Sequence, residues 1–326
     1  MIVAMGAQPA RSRHLVMANR WLFGPLLTVL VSSFVIFVAL SGAPGDPAVR
    51  LLGGHPTEIA LTAERHRLGL DRSILVRYWD WLTGAAHGDF GTSITYRTDV
   101  AGLLEPRIVT TLLLTLMAGL LIVVFGIGIG IVGAVFRPAG TGVTSLTSVG
   151  IAVPAYVAAL VLVNVFALKL GWFPAIGGGQ GLADRIWHLT LPAISLAIGY
   201  AAYVGQVTQS ALRAELGAEH VQSARGRGIP AWSTFRRHVL RNAAAPIITV
   251  SGLSLAALVA GAVVVESAFG IDGIGSFLVT SVSAKDYNVV LAISLLLVVV
   301  FVVVNTLVDA VNIVLDPRAR TMQDRP

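Results

Sequence analysis

Residues 108–136 read IVTTLLLTLMAGLLIVVFGIGIGIVGAVF, a run without a single charged side chain, closed by Arg107 on one side and Arg137 on the other. In a bilayer core of about 30 Å every backbone N–H and C=O must be satisfied within the segment, so an apolar run this long is a membrane-crossing helix. Its Gly126, Gly128, Gly130 and Gly133 offer a smooth ridge on which a neighbouring helix can pack closely. Five further apolar runs extend the pattern, the first four without a charge and the last with Asp309 near its end: Trp21–Leu40, Val143–Leu168 with Pro154 as a kink, Leu189–Leu212, Ala243–Val265 and Val289–Val311. Each approaches or exceeds the roughly 20 residues a span requires. The expected fold is an all-α polytopic membrane protein with six transmembrane helices and both termini on one side.

Composition supports the same class. Of 326 residues 55% are hydrophobic and only 12% charged, against roughly 25% charged in a soluble domain. Cysteine is absent, which removes disulfides, thiolate metal sites and cysteine nucleophiles. The net charge of +6 sits beside the apolar spans with no nucleic-acid-binding signature, which points to membrane lipid rather than nucleic acid. A cleaved signal peptide is the rival for the first run, because Ser41, Gly42 and Ala43 follow it. The run is longer than the 7–15 residues of a signal core, which favours an uncleaved span.

With the N-terminus inside, segments 1–20, 137–142, 213–242 and 316–326 carry 13 Lys and Arg residues, whereas the short outer loops 169–188 and 266–287 carry 3. The positive-inside rule then makes both termini cytoplasmic. Residues 1–20 form a cytoplasmic tail, 21–40 the first span, and 41–107 an extracytoplasmic segment. Residues 108–315 form the permeating core, and 316–326 a second cytoplasmic tail. Within 41–107, PGDP (Pro44–Pro47) reads as a turn out of the membrane. Ile74, Tyr78, Trp81, Leu82 and Ala85 recur at helical spacing opposite Arg77 and Asp80. That amphipathic helix lies on the membrane surface or packs into an extramembrane cap; the pattern fits both.

The polar island EHVQSARGRGIPAWSTFRRHVLRNAAAP (Glu219–Pro246) lies within the cytoplasmic segment 213–242 and its border with the fifth span. Its arginines alone need mean no more than obedience to the positive-inside rule. Yet a connection of about 30 residues is long for a helical bundle, where 2–8 suffice. Val221, Ala224 and Gly228 align on one face of a short helix that Gly228 and Pro230 bring to a stop, and these small residues would admit a closely packed partner.

The island resembles the cytoplasmic coupling loop of bacterial ABC importer permeases of the dipeptide, oligopeptide and nickel group. Further similarities follow in family order: PGDP, GLDRSILVRYWDWLTGAAHGDFG (69–91), LGWFPAIG (170–177), LTLPAISLAI (189–198), VVVESAFGIDGIG (263–275) and NTLVDAVNIVLDPR (305–318). The long segment 41–107 resembles the first of the two permease subunits in such systems. His220 stands where the family has an aromatic, Gly226-Arg227 where it has Ala-Lys, and Ile271-Asp272 where it has aromatic-Pro.

The resemblance implies an importer of short peptides, or of nickel complexes, glutathione or another small solute, in the bacterial inner membrane. It implies a second permease, one or two ABC ATPases and an extracytoplasmic substrate-binding protein as partners. Glu219, His220, Val221, Ala224, Arg225 and Gly228 would contact an ATPase. No G-x-x-x-x-G-K-[ST] loop is present, so ATP and Mg would belong to separate chains and this one would have no cofactor, metal or catalytic residue of its own. Asn164, Gln206, Gln209, Asn305 and Asp309, polar residues in apolar runs, are candidates for the translocation path. Glu266 reads as structural, holding the Gly-rich turn after it. A secondary transporter is the alternative outside the ABC class, although mid-membrane ionisable groups and internal repeats are missing. An intramembrane hydrolase is disfavoured because H-E-x-x-H and G-x-S-x-G are absent.

Overall fold

The computed structural model describes residues 10–42, 47–53 and 56–315, which form helices joined by short connections. The first three residues of PGDP and the tail 316–326 lie outside the described residues, as do residues 1–9 of the first tail. Five helices are long and apolar enough to cross a membrane, and a bent pair makes a sixth crossing if its halves count as one.

The helices overrun the charge-free runs, because caps and breakers end a helix whereas charges do not. The first, α1 (Ala10–Ser41), begins within the expected tail, and its apolar stretch is Phe23–Ser41. After the short helices α2 (Pro47–Leu52), α3 (Glu58–Arg67) and α4 (Ile74–Ala86), the second span begins at Val100 rather than Ile108. Asp99 caps it, its carboxylate accepting from Gly102 N at 3.2 Å, and the helix runs through Arg107. This span is α5 (Val100–Leu121), a π-helical turn at Ile122–Gly126, and α6 (Ile127–Val135).

The third span differs most from expectation. Pro154 lacks an N–H and forces Val153 into an extended conformation (φ −81°, ψ 114°), so α7 (Arg137–Ala152) and α8 (Ala155–Leu162, continued by a π-helical segment to Lys169) meet at 97°. The expected kink is a right-angled break.

The fourth span, α9 (Gly181–Leu216), is the central helix: 56% of its most apolar window is buried, against 11% for α1. It packs against α5, α6, α7, α8 and the later α12. Leu189, Leu196 and Val204 join Leu114 and Ile122 of the second span in the main core. Gly126, Gly130 and Gly133 let α9 and α7 approach. A Cβ on Gly126 would lie 2.9 Å from Val204, one on Gly130 would strike Thr208, and one on Gly133 would crowd Val143 and Gln209. Gly128 points elsewhere, with open space around it. The ridge therefore has the i, i+4, i+7 spacing of one helix face.

After α9 come α10 (Glu219–Gly226) and α11 (Ala231–Thr234), which passes through a π-helical turn into α12 (Leu240–Ala268). The expected 30-residue connection thus shrinks to residues 217–230. A helix not foreseen from the sequence, α13 (Ile274–Ser283), precedes the last span, α14 (Tyr287–Leu315).

The segment between the first two spans is fastened to the bundle at several points. Tyr78 and Trp81 of α4 pack on Phe34 and Phe37 of α1, and the Tyr78 hydroxyl donates to the Leu30 carbonyl at 3.1 Å. The fully buried Asp286 carboxylate accepts from Ser93 Oγ and from Thr95 N (3.0 Å). Arg107 pairs with Asp272 at 2.7 Å, its guanidinium lying 4.1 Å from the Phe277 ring centre.

Candidate functional site: the connection between the fourth and fifth spans

The helix α10 has a defined end. Gly228 adopts φ +76°, its N–H donates to Arg225 O (2.9 Å), and the Ile229 N–H donates to Ala224 O (3.2 Å). This is the Schellman arrangement, in which glycine occupies a left-handed position that a side chain would strain.

Val221 and Ala224 are 0% and 6% exposed, and Val221 belongs to a cluster with Leu212, Val239, Ala243, Ile247 and Ala134. Of the three residues expected to share one face, Val221 and Ala224 are covered by the chain's own spans and Gly228 is exposed. Hydrophobic burial explains why, since a valine on a short water-facing helix is most stable against the adjoining helix ends. The opposite face carries Glu219, Ser223 and Gly226 at i, i+4, i+7, all exposed. Sequence reading missed Ser223 and Gly226, although their position opposite Val221 was available from helical periodicity. Arg225 and Arg227 are exposed and form no ion pair among the described residues. Gly228 is exposed, and a Cβ there would meet nothing within 4 Å.

His220 fastens α10 laterally. Its Nε2 lies 3.5 Å from Glu215 Oε2 at the end of α9, and Asn242 Nδ2 in α12 lies 3.3 Å from both Glu215 Oε2 and His220 Nε2. One polar cluster therefore joins α10 to the ends of both spans that carry it.

The five candidates for the path are not brought together. Gln209 is buried and donates to the carbonyls of Gly140 (3.0 Å) and Gly133 (3.4 Å), while Thr144 Oγ1 donates to it. With Arg213, which also donates to Gly133 O (2.9 Å), it clasps the tight turn between α6 and α7. Gln206 is half-buried and Asn164 exposed. Asn305 donates to Phe301 O in its own helix, and Asp309 is exposed. Among the described residues no hydrogen bond links any two of the five.

Glu266 holds the turn that follows it. It is fully buried, and its carboxylate accepts from Gly275 N (2.8 Å), Ser276 N (3.0 Å) and Thr111 Oγ1 (2.6 Å). Thr111 Oγ1 in turn accepts from Ile274 N (2.9 Å), so the first N–H groups of α13 are satisfied by two other helices. Among the described residues no cluster of three or more His, Asp or Glu stands ready for a metal.

Two family models match the chain. Residues 123–321 match the binding-protein-dependent transport system inner membrane component, and residues 14–115 match the N-terminal component of such proteins. A glutathione transport system permease protein, GsiC, of Salmonella typhimurium is 34% identical over 302 residues, covering 92% of this chain and 97% of its own. The Escherichia coli K12 protein of that name is 33% identical over 301 residues, with the same coverage. An inward-facing structure of the MetNI methionine ABC transporter aligns with TM-score 0.54 at 20% identity, covering 66% of this chain and 96% of that one. An amino acid ABC transporter with histidines aligns with TM-score 0.50 at 21% identity, covering 65% and 93%. The chain belongs to the binding-protein-dependent transport system inner membrane component family: it is a multi-pass inner-membrane permease subunit of an ABC importer, without catalysis of its own.

Proposed function

We propose that this chain is the first of two permease subunits in an importer of short peptides, with both termini cytoplasmic and residues 41–107 extracytoplasmic. The glutathione permeases similar to it favour a small peptide-like cargo, glutathione itself included, over nickel complexes. Its partners are a second permease, one or two ATPase subunits that bind ATP and Mg, and an external substrate-binding protein.

One observation carries the coupling assignment: α10 is locked on its inner face by Val221 and Ala224 and bare on its outer face. A force-transmitting contact needs that combination. The inner packing and the His220–Glu215–Asn242 cluster bind α10 to both span ends, so a push on Glu219, Ser223 and Gly226 moves the spans instead of bending the loop. ATP-driven closure of two ATPases would then rock the bundle between inward-open and outward-open states. Val221 and Ala224 support α10 from within; Glu219, His220, Arg225 and Gly228 remain accessible to the ATPase. Of the path candidates, Gln206, Asn164, Asn305 and Asp309 keep a polar group available, whereas Gln209 serves helix packing first.

The absence of cysteine makes orientation directly testable. In intact spheroplasts a membrane-impermeant maleimide should label Thr62→Cys and spare Ser223→Cys until the membrane is opened. Labelling of Ser223→Cys in intact spheroplasts would overturn the orientation. ATP-dependent uptake of glutathione or a dipeptide by the reconstituted complex, insensitive to collapse of ion gradients, separates an ABC importer from a secondary transporter.

A further inference from the structure

The helix α4 lies alongside α1 rather than beyond its end. Tyr78 reaches the Leu30 carbonyl, eleven residues before Ser41 and therefore about 16 Å down the apolar stretch at roughly 1.5 Å per residue. Its Leu75 and Trp79, 64% and 62% exposed, face away from the protein, as lipid-facing side chains at this depth would.

Between α4, the end of α1 and the start of α14 is a cavity of about 670 Å³, lined in part by Phe37, Leu40, Arg77, Trp81, Asn288 and Leu291. Arg77 is half-buried, with its guanidinium 5.8 Å from the Phe37 ring centre. Phe37 lies four residues, about 6 Å, inside the end of the apolar stretch. Of the three other arginines that line the cavity, Arg67 pairs with Glu64 at 2.6 Å and Arg72 with Asp80. Among the described residues the Arg77 side chain makes no hydrogen bond or ion pair. One turn further along α4, the Trp81 Nε1–H is buried without an acceptor. Two donors thus stand together in a place where an unpaired cation is costly.

We propose that this cavity holds the phosphate of a membrane phospholipid, with Arg77 as its counter-charge and an acyl chain beside Phe37 and Leu40. A soluble phosphate or a peptide carboxylate offers the same acceptor chemistry. The depth of Arg77 within the apolar stretch and the lipid-facing flank of α4 favour lipid. In the orientation proposed above it comes from the outer leaflet, but binding itself does not depend on that orientation.

The full chain, inserted in vesicles of phosphatidylethanolamine and phosphatidylglycerol and then extracted into detergent, should retain phospholipid that native mass spectrometry counts. Arg77→Gln should lower retention roughly fivefold, the scale of one arginine at an anionic surface, whereas Arg77→Lys and Arg97→Gln should stay near wild type. A second measurement needs no variant: delipidated wild-type chain should melt lower and recover on adding phosphatidylglycerol but not inorganic phosphate. Equal retention by wild type and Arg77→Gln overturns the proposal. So does displacement of the lipid by inorganic phosphate or glutathione, which would make the occupant a soluble anion.

Discussion

The two faces of α10 should respond oppositely to mutation. Val221 is fully buried, and Val221→Ala removes two carbons worth about 0.8 kcal/mol each, plus a cavity term, for about 2 kcal/mol in all. That corresponds to roughly 30-fold in the local equilibrium between docked and detached α10. Ser223 is exposed on the outer face, so Ser223→Trp should shift the stability of the isolated chain by less than about 0.5 kcal/mol. The assay is the complete importer in proteoliposomes, with ATP hydrolysis, ATPase association and uptake measured together with the melting temperature of the purified chain. Val221→Ala should melt lower and keep its ATPases, yet import less substrate per ATP hydrolysed, because the lever is loose at its root. Ser223→Trp should melt with wild type and lose its ATPases and uptake together. If Ser223→Trp assembles and imports at the wild-type rate, the outer face of α10 is not the ATPase contact.

Three further outcomes follow from the packing. Gly228→Ala places a Cβ in open space but at φ +76°, so it should cost about 1–2 kcal/mol through backbone strain alone, with Gly228→Asn milder; equal melting of Gly228→Ala and wild type would refute the strain. Gly130→Ala drives a methyl into Thr208 and should destabilise by about 1–3 kcal/mol in a mild-detergent unfolding titration, whereas Gly128→Ala, in open space, should be neutral or slightly stabilising. Glu266→Ala strips acceptors from Gly275 N, Ser276 N and Thr111 Oγ1, at about 1–3 kcal/mol for each donor left buried and unpaired. The folded yield should drop sharply, and hydrogen exchange at the start of α13 should accelerate; unchanged exchange there would show that other acceptors suffice.

What could be read from the sequence follows from the physical signal each feature leaves. Apolar run length reports the thickness of the bilayer, so the spans were legible while their ends were not. Asp99, a cap, sets where the second span starts, and Arg107 falls inside it. The Pro154 signal was visible, but its consequence depended on α9 having room for two short helices at 97°, which only packing decides. The ridge glycines were legible as a group, yet spacing alone separates Gly128 from Gly126, Gly130 and Gly133.

The polar residues were harder because a polar side chain in an apolar run leaves the same trace whether it serves a path or a partner helix. Gln209 shows the difference. A carbonyl at a helix break has lost its intrahelical donor, and Phe136 breaks the helix between the second and third spans, leaving Gly133 O open to donors from another helix. Gln209 and Arg213, one turn apart on α9, supply them. The same reasoning applies to α10: small residues signal close approach, but they do not say to what. The wholly buried Val221 on this eight-residue helix identifies the inner face and leaves Glu219, Ser223 and Gly226 exposed for the contact proposed above.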